Sequence, residues 1–161
     1  MGIASKSTNP RLERFTLGTH ETILIAPVNS DLAKKGSASL ADLDGQPFVT
    51  YDKGCKIRGM LDDVFAGANI HPLVEYEATF DNLIIGMVGS GLGYALIPRP
   101  TGVFPKNVCE VPLAEALPTR TVQLVWAKGR KLAPAAELFR SYILESNKLL
   151  NFNQFTDMMT K

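Results

Sequence analysis

Cys55 is the one side chain with the makings of an activated nucleophile. It precedes a helical pattern that begins at Lys56, and Lys53 and Lys56 flank it. A helix N-terminus and nearby cations both lower a thiol pKa. A cysteine hydrolase also needs a positioned histidine, and the chain has only His20 and His71. His20 falls in a turn before a strand, and His71 falls on the helix-to-strand side, at the far edge of a sheet. Neither suits the role, so a thiol enzyme on Cys55 is a minor reading. The cysteines form no CxxC pair, the histidines are too isolated for a zinc site, and Asp62-Asp63 reads as a solvated helix face. No cofactor is expected.

The stretch MVGSGLGYALIPRP, residues 87–100, places glycines at 89, 91 and 93. A dinucleotide loop needs its glycines after a strand and before a helix, so that helix amides point at the pyrophosphate. Here a helical pattern comes first and the strand follows, which turns the negative end of the dipole toward the glycines. No Gly-Lys-Ser/Thr follows either, which excludes a P-loop. The glycines are read as a helix stop and a tight turn packed close to a sheet.

The elements around these residues are legible from periodicity. Residues 47–52 (PFVTYD) form a short β-favouring run. Ile57, Met60, Leu61, Val64 and Phe65 then recur at i, i+3, i+4, i+7 and i+8, which predicts a helix over 56–66 with Gly67 as its stop. Residues 73–77 (LVEYE) read as a strand. Residues 80–88 read as a helix, with Thr79 as N-cap and Asp81 in the first turn. Residues 94–97 (YALI) read as a third strand. Strands alternating with helices over short connections imply parallel pairing in an α/β sheet. Strands are also expected over 21–28, 108–112 and 121–128, a helical turn over 39–44, and a helix from Pro134, which suits the first helical position. A further helix is expected over 147–161.

In open α/β sheets ligands bind outside the carboxyl ends of the strands. Three such ends follow: Lys53-Gly54-Cys55 after Asp52, Ala78-Thr79-Phe80 after Glu77, and Pro98-Arg99-Pro100 after Ile97. Two of these loops lead into helix N-termini, with free amides and a positive dipole end. Lys53, Lys56, Arg58 and Arg99 add positive charge, and the set suits a small anion such as a carboxylate. Each residue also has a plainer reading. Thr79 can be an ordinary cap, the cations can be solvated surface charge, and Arg99 can satisfy local backbone.

Composition sets the broad class. The chain has 161 residues, 45% apolar and 20% charged, with a formal net charge of +1. That describes one globular domain with a real core. It provides no general electrostatic reason to bind nucleic acid or an anionic membrane. No apolar run approaches the roughly 18 residues of a membrane span, and the first residues have no signal-peptide core. Two cysteines are too few for a disulfide framework, which fits the cytoplasm.

Taken in order, three segments resemble the effector-binding domain of LysR-type transcriptional regulators. They are ETILIAPVNSDLAKKGSASLADLDGQPFVTY, IRGMLDDVFAGANIHPLVEYEATFDNLIIGMVGSGLGYALIP, and VPL followed by RTVQLVWAKGRKLAPAAELFRSYI. The likeness spans residues of about 20–145; no single motif is diagnostic, but the ordered set is specific. It implies an α/β fold of the periplasmic-binding-protein-like (type II) class, with two subdomains joined by crossing strands around a small-molecule cleft. Residues of about 28–121 would form the second subdomain, nearly complete. Residues 1–27 and 122–161 would form the crossovers and part of the first.

The resemblance also implies ligand contacts. It points to Thr79, with Phe80, at the start of the second helix and to Gly54 and Cys55 before the first. It points as well to Pro98, with Arg99, at the end of the third strand. Ser5, in the GIAS segment just after the first subdomain's last strand, is added by the resemblance alone. A complete regulator begins with a winged helix-turn-helix, which the sequence does not contain, so DNA contact is expected only through such a domain. By the same resemblance, the opening of the first subdomain is expected to be missing too. Open sheet edges and apolar surface should therefore favour self-association, with the segment from Phe152 to Met159 taking part. Ala133 stands where the family often has a serine cap, a loss of about 1 kcal/mol. The alternative function is a solute-binding protein of the same fold, which would need a secretion signal and a full two-lobed chain.

Overall fold

The computed structural model describes residues 1–149, with side chains as far as residue 146; the segment from Phe152 to Met159 lies outside the described residues. The elements run β1 (Gly2–Ser5), β2 (Leu12–His20), β3 (Thr22–Pro27), α1 (Asp31–Lys35), a 3₁₀ turn (Leu40–Leu43) and β4 (Pro47–Tyr51). Then follow α2 (Lys56–Ala68), β5 (Leu73–Ala78), α3 (Asp81–Gly89), β6 (Ala95–Pro98), β7 (Val108–Val111), β8 (Arg120–Ala127) and α4 (Pro134–Leu149). They fall into two compact units. Unit one holds Met1–His20 and the chain from Arg120, and unit two is Glu21–Thr119. β3 thus belongs to unit two, because it is the middle strand of that unit's β6-β3-β7 sheet.

Unit one is a three-stranded antiparallel sheet in the order β1-β8-β2, with α4 following β8. Two of its strands were not anticipated. GIAS is itself strand β1 rather than the segment after one, and Ser5 is its last residue, paired with Val122. β2 shows no clean two-residue alternation of burial, and a bulge between Thr16 and Gly18 interrupts its register with β8, so it lacks the usual strand signal. His20 is the last residue of β2 rather than part of a turn. Trp126 is buried on β8, donates its indole N–H to Glu13 (3.0 Å) and carries the Arg140 guanidinium 5.2 Å over its ring.

Unit two contains the large core. β4 and β5 pair in parallel, and β3 pairs antiparallel with both β6 and β7. A single parallel bridge, Phe48 to Tyr94, ties β4 to the start of β6. The sheet is therefore mixed: β6 runs parallel to β4 as expected, but its main ladder is antiparallel to β3. Leu61 and Phe65 of α2 are buried at i and i+4, as are Ile84 and Val88 of α3. That spacing is one helix face. Phe48 meets Phe65 edge-on, with ring centroids 5.3 Å apart, a favoured aromatic geometry.

Both helix boundaries in this region differ from expectation. α2 runs through Gly67 and stops at Asn69, which takes the left-handed conformation at φ 53°. Asparagine is the non-glycine residue that best tolerates that conformation. α3 begins one residue later than read, with Phe80 rather than Thr79 at the N-cap position. Thr79 is drawn away by a partner on the neighbouring strand, described below.

The glycine run is a turn against the sheet. α3 ends at Gly89, whose carbonyl accepts from Asn107 Nδ2 at 2.7 Å. Gly93 has φ +145°, and a Cβ there would collide with the Pro47 carbonyl. That contact is what lets Tyr94 exchange backbone hydrogen bonds with Pro47 and Val49, at 3.0 and 2.8 Å. Gly93→Ala is expected to destabilise the protein by about 2 kcal/mol or more, from backbone strain plus the clash. Urea unfolding checks this, and an unchanged midpoint would contradict it.

A second prediction concerns the 3₁₀ turn. Asp42 accepts from the Ser39 backbone N–H (2.7 Å), the Ser39 hydroxyl (3.0 Å) and Lys35 Nζ (2.9 Å). These bonds, the Ser39 backbone first, lower its pKa from 3.8 to about 2. A carboxyl depressed in the folded state stabilises fully above its unfolded pKa and loses that contribution as pH falls through the folded value. Acid unfolding of Asp42→Asn should therefore differ in slope from the parent between about pH 4 and 2, and identical slopes there would contradict the assignment.

Candidate functional site

The carboxyl ends of β4, β5 and β6 lie at one end of unit two, and the register shows why. Tyr51 pairs with Ala78 in the parallel ladder, and the Asp52 N–H continues it by donating to the Ala78 carbonyl at 3.1 Å. Asp52 and Thr79 therefore leave their strands side by side. Phe48 bridges to Tyr94, so Asp52 and Pro98 each stand four residues further along strands of the same direction. Unit two thus brings Gly54, Cys55, Thr79, Phe80, Pro98 and Arg99 to one end. Ser5 belongs to unit one and is not among them.

Thr79 does not cap α3. Its hydroxyl donates to the Asp52 carboxylate, which links the ends of the two strands through their side chains. Phe80 stands at the N-cap with no side-chain hydrogen bond and is an exposed aromatic. Cys55 stands at the N-cap of α2, likewise with no side-chain cap bond, and its N–H closes a turn onto the Asp52 carbonyl at 2.9 Å. Neither N-cap side chain accepts from the helix amides; in α3 the Leu83 N–H is taken by the Asn82 side chain at 3.0 Å, so the donors left at the positive dipole ends are those of the first two residues of each helix. Tyr51 donates to Asp81 at 2.6 Å, which fixes the first turn of α3 to β4.

The four cations named from the sequence divide into two pairs. Arg58 is committed to Glu77 (2.6 Å), Asp62 (2.8 Å) and the Tyr51 carbonyl (2.9 Å). The bond to Glu77 is the main cause of its raised pKa. Arg99 holds Glu110 through both terminal nitrogens, at 2.5 and 2.8 Å, and Glu21 at 3.3 Å; Glu110 is the main cause of its raised pKa. Its backbone N–H also donates to the Glu21 carbonyl at 2.7 Å. Lys53 and Lys56 are exposed and form no ion pair among the described residues. The uncommitted positive charge at this end of the sheet is therefore theirs.

Asp52 is the residue that sequence reasoning missed here. Its signal was a charged residue directly after a largely buried strand, one step before a helix-leading loop. Nothing in the pattern showed that Thr79 would prefer it to the α3 amides. His71 precedes β5 at the opposite end of the strands, where its N–H donates to Asp44. His20 is in unit one. No group of three or more His, Cys, Asp or Glu among the described residues could hold a metal ion, and no helix among them is long and apolar enough to cross a membrane.

Comparison with known proteins gives this geometry a family. The family described as LysR substrate binding domain matches residues 2–148. The HTH-type transcriptional regulator YybE of Bacillus subtilis strain 168 is 29% identical over 139 residues, covering 86% of this chain and 47% of that protein. The transcriptional dual regulator GltC of the same organism is 31% identical over 131 residues, covering 80% of this chain and 44% of that protein. The chain thus spans about half the length of the curated relatives it matches. Among solved structures, the effector binding domain of QuiR in complex with shikimate superposes with a TM-score of 0.81 at 25% identity, covering 91% of this chain and 70% of that one. The fold class is accordingly α/β, of the periplasmic-binding-protein-like type II kind, and the family is not one of enzymes. The chain belongs to the LysR substrate-binding domain family.

Proposed function

We propose that this chain is the effector-sensing part of a homo-oligomeric LysR-type transcriptional regulator, and that its effector is a small anion, a carboxylate, bound at the carboxyl ends of β4, β5 and β6. The observation that carries the reading is the coincidence of two uncapped helix N-termini with two unpaired lysines at one end of the sheet. Helix amides and dipoles favour an anion there, and Lys53 and Lys56 supply its countercharge. Gly54 and Cys55 bring the first amides of α2 to the ligand. Thr79 and Phe80 do so for α3, with a hydroxyl and an apolar wall. Pro98 and Arg99 close the third side, Arg99 as a positioned group whose charge is already matched. The shikimate bound by QuiR is a carboxylate and supports the class.

Binding here would shift the populations of two arrangements of the domain, which a separate DNA-reading segment would report. Titration calorimetry against a panel of carboxylates tests the site. Thr79→Ala, which removes the hydroxyl that holds Asp52 in place, is expected to weaken the best binder at least about tenfold. An unchanged affinity would place the ligand elsewhere. The division of labour has its own test in a gel-shift with this chain alone. No operator-specific shift is expected, and tight sequence-specific binding would overturn that division.

A further inference from the structure

The Thr79–Asp52 hydrogen bond has a direction, and the direction constrains the ligand. A carboxylate has only lone pairs to offer, and a threonine hydroxyl has one proton. While Thr79 donates to Asp52, its oxygen can only accept from anything else that approaches. The second oxygen of Asp52 has no hydrogen bond among the described residues. This corner of the site therefore presents acceptors alone. Beside it, Lys53, Lys56 and the first amides of α2 and α3 present donors alone.

A plain carboxylate satisfies only the donors, and at the acceptor corner it meets Asp52 as a like charge. Turning the Thr79 proton toward the ligand's acid group does not remove the difficulty, because Asp52 then loses its partner, and an acceptor that a bound ligand covers without pairing is costly. In either state Asp52 needs a donor from the ligand.

We propose that the effector carries a hydroxyl or ammonium group next to its acid group, that Asp52 accepts from it, and that Asp52 is therefore a specificity-determining residue. The chemical class is a hydroxy acid or an amino acid. This inference rests on the reading of this end of the sheet as the effector site. A site built to accept from a substrate O–H or N–H rejects the analogue that lacks it far more strongly than an apolar pocket rejects a change of shape.

Calorimetric titration of the whole chain with matched acids tests it. The pairs are (S)-mandelate against phenylacetate, L-lactate against propionate, and L-alanine against propionate; the last two separate a hydroxyl from an ammonium donor. In at least one pair the donor-bearing acid is expected to bind at least tenfold more tightly. Asp52→Ala should reduce that preference to threefold or less while the plain acid binds as well as before or better, which also shows that the variant is folded. Equal affinities within every pair in the parent chain would overturn the proposal but leave the anion site standing. So would an undiminished preference in Asp52→Ala. Binding by none of these acids would overturn the effector-site reading and this inference with it.

Discussion

The parallel pairing of β4 with β5 is the constraint on which the rest of unit two depends. Parallel strands in register also finish in register, and here the ladder runs past its last pair, Tyr51 with Ala78, through the Asp52 N–H and then through the Thr79 and Asp52 side chains. Parallel strands must be joined by crossovers, so the chain leaving β4 has to enter α2 and the chain leaving β5 has to enter α3. Two helix N-termini at one end of the sheet are a consequence of that pairing rather than an added feature. The third strand depends on the same frame. β6 joins β4 only because Gly93 leaves room for the Pro47 carbonyl, so that Tyr94 can bridge to Phe48.

The charges around this end follow a consistent logic. Arg58 and Arg99, the two guanidinium groups, are spent on carboxylates and, for Arg58, on the Tyr51 carbonyl, partners that hold strand ends in place. Guanidinium suits that task because its planar fork can serve several acceptors at once. The lysines, on flexible stems, are left uncommitted. Rigid parts of the site are therefore held by arginine pairs, while the charge available to a ligand is carried by Lys53, Lys56 and the helix amides. The acidic members, Asp52 and Asp81, each accept from a hydroxyl on a neighbouring element.

The centre of unit two was legible because each element there obeys its own period. α2 shows Ile57, Met60, Leu61, Val64 and Phe65 on one stripe, and β4 and β6 are short, apolar and bounded by turn residues. The misreadings have physical causes. Gly67 looked like a stop because glycine usually ends helices, but Asn69 has the left-handed conformation and the helix continues to meet it. Thr79 looked like a cap because local competition favours capping, and only the strand pairing reveals Asp52 as the stronger partner. β1 and β2 were missed because antiparallel pairing with β8 over more than a hundred residues leaves no local trace, and exposed Ile3 breaks the apolar alternation. Loop placement at the site was readable from strand polarity. Whether each cation was free or already paired was not, since the partners of Arg99 lie on β7 and just before β3.

The central claim is that an acid binds where β4, β5 and β6 end. Amide NMR spectra of the chain titrated with shikimate test it most directly. The account predicts the largest shifts at Asp52–Lys56, Thr79–Asn82 and Arg99. Shifts centred instead on the groove formed by Lys35, Ser39, Asp42 and Leu113, or no shifts in unit two at saturating ligand, would contradict it.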